Sequence, residues 1–166
     1  MIDHQNLGQQ AYDLAFSYEQ TKSHCVQCTL GAIMEITHSI DRELFKAADG
    51  LTAGGALSGQ GTCGALCGGI LAISRSTGRT YEEFLAGKGG TSWENVAKLN
   101  NLFIEKYGSP VCRRVQEKIF GRSFDFSKPE DGELFNQMGG HVDKCPAVCG
   151  DVARWTMEII QEINPK

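Results

Sequence analysis

The chain has 166 residues, 41% of them hydrophobic, and a formal charge of −4 at pH 7. That length supports one domain (residues 1–166) with a core of its own, so disulfides or metals are optional as staples. The negative balance and the lack of a Lys/Arg run give no electrostatic case for nucleic acid, and the most apolar stretch, Ala65 to Ile73, is too short to span a bilayer.

The N-terminus, Met1 to Gly8, shows no basic segment followed by an apolar run, so no secretory signal is expected at this end. Leu7, Ala11, Leu14, Ala15 and Tyr18 then recur at helical spacing and predict an amphipathic helix from Leu7 to Thr21. A second helix is expected from about His24 to His38 with Ser23 as its N-cap, and a short third one after Asp41 through Ala48. From Gly50 to Gly69 there are eight glycines in twenty residues. Such density implies positive φ or close backbone approach, because Gly is costly in a helix.

A helix is expected to leave this loop near Cys63, tolerating Gly64, Gly68 and Gly69, and to end before Gly78. Gly87 to Ser92 reads as a loop, with Thr91 or Ser92 capping a helix that Gly108 terminates. Ser109-Pro110 restarts a helix through Val115 and Ile119 by the cap-plus-proline pattern. Gly121 to Gly140 is polar, with one short helix near Glu130 to Met138. The last helix starts at Cys145-Pro146 and carries an apolar stripe to Ile163. No alternating strand and no solenoid repeat interrupts this pattern. The class is all-α, with six to seven helices and a Gly-rich loop.

Seven cysteines lie on that framework: Cys25, Cys28, Cys63, Cys67, Cys112, Cys145 and Cys149. In a reducing cytoplasm, clustered cysteines read as metal-binding or redox-active rather than as a disulfide framework. Cys25, Cys63, Cys112 and Cys145 each fall in the first turn of a different predicted helix. There the unpaired N–H groups and the positive end of the helix dipole favour thiolate and would lower the thiol pKa. The same groups suit an anionic cluster held by thiolates. Cys28, Cys67 and Cys149 follow three or four residues later, on the same helix faces, as ligands or as small buried residues. Gly61 and Gly64 would bring backbone N–H groups to such a cofactor.

Other patterns carry less. Gly59-Gln60-Gly61-Thr62-Cys63-Gly64 matches G-x-G-x-x-G, but no strand precedes it. Cys25-Val26-Gln27-Cys28 lacks the histidine of a c-type haem site, since Thr29 follows. His24 and His141 stand near cysteines as ligands or tuning groups, while His4 and His38 carry no signal. Arg113 and Arg114 would offset cluster charge or be solvated, and Trp93 and Trp155 read as packing residues.

The order Cys25, then Gly61-Thr62-Cys63-Gly64-Ala65-Leu66-Cys67-Gly68, then Cys112, then Cys145 resembles the C_GCAxxG_C_C family of redox-active proteins. The resemblance extends over residues 25–155 and includes Gln27, Gly108 to Arg113 and the Cys145-Pro146 helix start. It implies a small helical redox module of anaerobic metabolism, akin to a domain found in split-Soret cytochromes beside haem and an iron–sulfur centre. It carries redox candidacy to Cys25, Cys63, Cys112 and Cys145; Cys28, Cys67 and Cys149 depart from a four-cysteine family pattern.

The leading expectation is an iron–sulfur protein that serves a redox partner protein or a small redox substrate. A metal-free thiol–disulfide or persulfide protein is the first alternative. A zinc-structured interaction module is the second, with zinc ranked below iron–sulfur. Whether the protein is itself an oxidoreductase is left open. A homodimer would cover a cluster at the module's edge.

Overall fold

The computed structural model describes residues 6–164; Met1 to Gln5, His4 among them, lie outside. Among the described residues the architecture is helical, and the one extended feature is an isolated bridge between Thr62 and Val111. The helices are α1 (Leu7–Thr21), α2 (Cys25–Thr37), α3 (Arg42–Ala47), α4 (Gly64–Thr77) and α5 (Tyr81–Leu85). They continue as α6 (Trp93–Tyr107), α7 (Cys112–Phe120), α8 (Pro129–Gln137) and α9 (Cys145–Ile163). The all-α expectation therefore stands, with more helices than expected.

Helix α5 was not foreseen. Its signal is a capping box: the Glu83 N–H donates to Thr80 Oγ1 and the Thr80 N–H donates to the Glu83 carboxylate. A π-helical turn, Gly140–Lys144, runs straight into α9. Two predicted starts also move, those of α2 and α7. Left-handed His24 precedes α2 without a side-chain cap, displacing Ser23. Cys63 itself stands at the cap of α4, and Val111 at that of α7. Ser109 still contributes, since its Oγ accepts the Val111 N–H at 3.1 Å. Cys145 is the first residue of α9, where the last helix was expected to start.

Helices α1, α2, α4 and α9 pack together, with α6 against α4 and α9. Val26, Leu30, Ile33, Leu66, Ile73 and Val152 form fully buried layers between them. Small residues set the spacing. A Cβ on Gly68 would stand 2.7 Å from the Val26 carbonyl oxygen, so α4 lies directly on the backbone of α2. On the other side of α4, a Cβ on Gly69 would meet Thr156 Oγ1 at 2.6 Å. The glycines in this helix are thus explained by contact rather than by flexibility.

Asp151 on α9 is buried as a carboxylate, held by Tyr107 Oη, Lys106 Nζ and Arg154. Those three partners supply the compensation that a buried charge needs. Trp155 packs edge-on to Tyr107 as expected. Trp93 does not: it is 73% exposed at the first position of α6.

The glycine contacts separate two kinds of substitution. Gly68→Ala gains about 1 kcal/mol of helix propensity but forces a clash with a backbone oxygen, so a net loss of about 1–2 kcal/mol is expected. Gly132→Ala on α8, where nothing lies within 4 Å of the added carbon, should instead raise stability by about 0.5–1 kcal/mol. Urea denaturation of the two variants checks both signs.

Candidate functional site

Helix starts from four parts of the chain meet around one cavity of about 220 Å³. Cys25, Cys63, Cys112, Cys145 and Cys149 all line it. The first four are the thiols that the sequence places at helix starts. Cys149, one turn into α9, joins them. Cys28 and Cys67 do not line this cavity; the Cys28 Sγ–H donates to the Ser23 carbonyl at 2.7 Å, and Cys67 turns toward the Thr62 carbonyl.

Each thiol is positioned by backbone. The Ser23-His24 turn, with φ of 60° and 67°, swings the chain into α2 at Cys25. Gly64 abuts that sulfur: a Cβ there would stand 2.4 Å from Cys25 Sγ. The Cys63 N–H donates to the Pro110 carbonyl at 2.8 Å, which ties the α4 start to the α7 start. The Cys112 and Arg113 N–H groups donate to the Gly61 and Gly59 carbonyls at 2.9 and 3.0 Å. The Cys145 N–H donates to the Gly140 carbonyl of the π turn.

The structure narrows the expectation of free N–H groups at these helix starts: the Val26 and Leu66 N–H groups still face Cys25 and Cys63, but others do not. Those of Cys63, Cys112, Arg113 and Cys145 are already occupied, and Pro146 has none. Gly61 serves this tie through its carbonyl; a Cβ on it would stand 2.7 Å from the Gly54 oxygen, so only Gly fits the crossing. Neither Gly61 nor Gly64 lines the cavity itself.

The Gly-rich segment closes the cavity in a rare conformation. Ala53, Gly54, Gly55, Ala56 and Leu57 all have positive φ, from 48° to 83°, and make a left-handed turn. Three of the five carry a Cβ, at a cost of about 1–2 kcal/mol each. Hydrogen bonds from the Leu57 N–H to the Thr52 oxygen and from the Gly59 N–H to the Ala53 oxygen hold the turn closed. Ala53 and Leu57 line the cavity, and the Ala53 N–H is directed at Cys25. Strain held in this way clusters at functional sites.

The electrostatics also differ from the sequence expectation. Burial, reinforced by the Glu19 charge, pushes the Cys25 thiol up to about 12, against the N–H groups of Ala53 and Val26. Burial pushes Cys112 up to about 11. Cys63, Cys145 and Cys149 are raised well above the ordinary value, again chiefly by burial, and the Leu66 N–H opposes this only at Cys63. Desolvation therefore outweighs the helix-start effect, and the thiols are held protonated.

Two residues that sequence reading passed over complete the site. Glu19 on α1 is 2% exposed; its carboxylate faces His141 Nδ1 at 3.1 Å and the Cys149 thiol at 3.8 Å. Its signal was its place in the series Ala11, Ala15, Glu19, a charge on a buried stripe. Gln116 is buried one turn after Cys112. Its Oε1 accepts the Phe124 N–H at 3.0 Å, which fixes the amide so that Nε2 faces Cys112 Sγ at 3.7 Å. His24 also lines the cavity, whereas Arg114 pairs with Glu117 on the surface and Arg113 is exposed.

The family described as "Putative redox-active protein (C_GCAxxG_C_C)" matches residues 23–159. The chain belongs to that family. Its matched span contains all seven cysteines and every residue lining the cavity except Glu19. No curated protein and no solved structure matches the chain. No helix among the described residues is long and apolar enough to cross a membrane.

The raised thiols lead to an expected alkali sensitivity in this C_GCAxxG_C_C protein. Below the unfolded-chain value of 9.0 both states keep their protons; above it the unfolded chain ionises first, until the folded thiols follow at about 11 for Cys112 and about 12 for Cys25. Metal-free protein should therefore lose stability from pH 9 upward, by up to about 1.4 kcal/mol per pH unit for each thiol. Thermal denaturation from pH 7 to 11 measures this, and a flat profile would contradict it.

Proposed function

We propose that the protein binds an iron–sulfur cluster through Cys25, Cys63, Cys112 and Cys145 and transfers electrons in the anaerobic metabolism of a reducing cytoplasm. The observation that carries this reading is the convergence of those four thiols, from four separate helix starts, on one mostly apolar cavity. The donor set fits. Thiolates are the ligands of such clusters, and ligation removes the protons that burial otherwise keeps on these sulfurs. Among the described residues no three His, Cys, Asp or Glu side chains are grouped so that they could hold a metal ion.

When bound, the cluster would supply one-electron redox chemistry. The chain's own residues set its surroundings. Phe126, Phe135, Ile119 and Val115 keep the cavity apolar, which disfavours added negative charge. The Gln116 amide and the Ala53 N–H act in the opposite direction, by donating toward cysteine sulfurs. Cys149 directs its S–H to the Cys25 carbonyl and to Glu19, so it reads as a protonated neighbour of the cluster rather than as a ligand.

Metal-free thiol chemistry draws less support. A reactive thiol needs a lowered pKa and an electropositive setting, and burial with the nearby Glu19 charge gives these cysteines the reverse.

Anaerobic reconstitution with iron and sulfide should give brown protein with charge-transfer absorption; colourless, iron-free protein would overturn the reading. Serine at any of Cys25, Cys63, Cys112 or Cys145 should remove most of the bound iron, while Cys67→Ser should retain it. Gln116→Leu should keep the iron content but lower the midpoint potential, because it deletes a hydrogen bond to sulfur. Potentiometric titration beside iron analysis reads both effects.

A further inference from the structure

Cys28 follows Cys25 by three residues yet faces a different space, a groove of about 520 Å³ between α1, the Ser23-His24 turn, α2 and α3. That volume falls within the roughly 300–1,000 Å³ of small-molecule sites. The apolar part of the groove is aromatic. A Cβ on Gly31 would stand 3.2 Å from Phe45 Cε2 and 3.8 Å from Tyr18 Cε2, so two rings meet over bare helix backbone, with Met34 beside them. Gln27 holds this wall in place by donating from Nε2 to the Phe45 carbonyl at 3.2 Å.

The charges around the groove are uneven. Lys22 and Arg42 line it and are exposed. Neither takes part in an ion pair among the described residues. Glu35, the acid in the groove, is engaged by the Tyr18 hydroxyl. An apolar aromatic surface with two unpaired cations at its edge complements a flat ring that carries a negative group.

We propose that this groove binds a planar aromatic ligand bearing a phosphate, of the chemistry that flavin mononucleotide represents. The ring would lie against Tyr18, Met34 and Phe45, and the phosphate would pair with Lys22 and Arg42. Ser23 and His24 line both the groove and the cysteine cavity, so the ligand would sit one strained dipeptide away from Cys25. Choosing a redox-active ring rests on the proposed redox function; the binding itself does not. The site also gives Cys28, buried and outside the cysteine cavity, a place in the wall of a binding groove.

The test is calorimetric titration of the full-length, metal-free protein with flavin mononucleotide, riboflavin and inorganic phosphate. Flavin mononucleotide should bind, riboflavin at least about tenfold more weakly for want of the charged contacts, and phosphate alone should not compete at equal concentration. The double variant Lys22→Glu/Arg42→Glu changes only exposed side chains. It should weaken flavin mononucleotide about tenfold or more and leave riboflavin unchanged, with an unaltered circular dichroism spectrum. Phe45→Ala should weaken both flavins alike. No binding of flavin mononucleotide, equal affinity for the two flavins, or indifference to the charge reversal would overturn the proposal. Because no iron is present, a failed cluster reconstitution has no bearing on the result.

Discussion

The closeness of α4 to α2 is the constraint on which the site depends. Gly64 and Gly68, one turn apart, let the backbone of α4 rest on Cys25 Sγ and on the Val26 carbonyl. A larger residue at either position would push the two helix starts apart, and with them Cys25 and Cys63. From that contact the rest follows in order. The α4 start is tied to the α7 start through the Cys63 N–H and the Pro110 carbonyl, and the glycine segment is tied to α7 through Cys112 and Arg113. The loop is therefore a stitched strap, held closed on its left-handed turn, and its glycines serve crossing and curvature rather than mobility.

A second balance lies between burial and charge. Sulfur at a helix start gains from nearby N–H groups, but here those of Cys63, Cys112 and Arg113 are committed to loop carbonyls, and desolvation prevails. The cavity holds the thiols as neutral, apolar groups. Glu19 sharpens this balance. As a buried carboxylate next to Cys149 and His141, it adds to the thiol shifts at Cys25, Cys145 and Cys149.

Much of the helical framework was legible from periodicity and punctuation. The stripe from Leu7, the Gly108 stop and the run from Cys145 to Ile163 each led to a helix close to its observed bounds. The misses have local causes. The α5 capping box was visible in Thr80 and Glu83 but has no apolar stripe to announce it. Ser23 was read as a cap because its side chain is suitable, while the backbone instead enters α2 through two left-handed residues. At the site, helix-start spacing identified four of the five thiols on the cavity. It could not rank Cys149 above Cys28 and Cys67, because all three follow a partner by three or four residues, on the same helix face, and differ in what lies opposite them.

Sequence by itself determined the helical class, the family, and the placement of cysteines at helix starts, because each depends on spacing within one segment. Only the tertiary structure decided which thiols share a cavity, that Glu19 and Gln116 join them, and that their protons are retained. Those outcomes depend on distances between segments far apart in the chain and on the removal of water, and neither is written in local spacing.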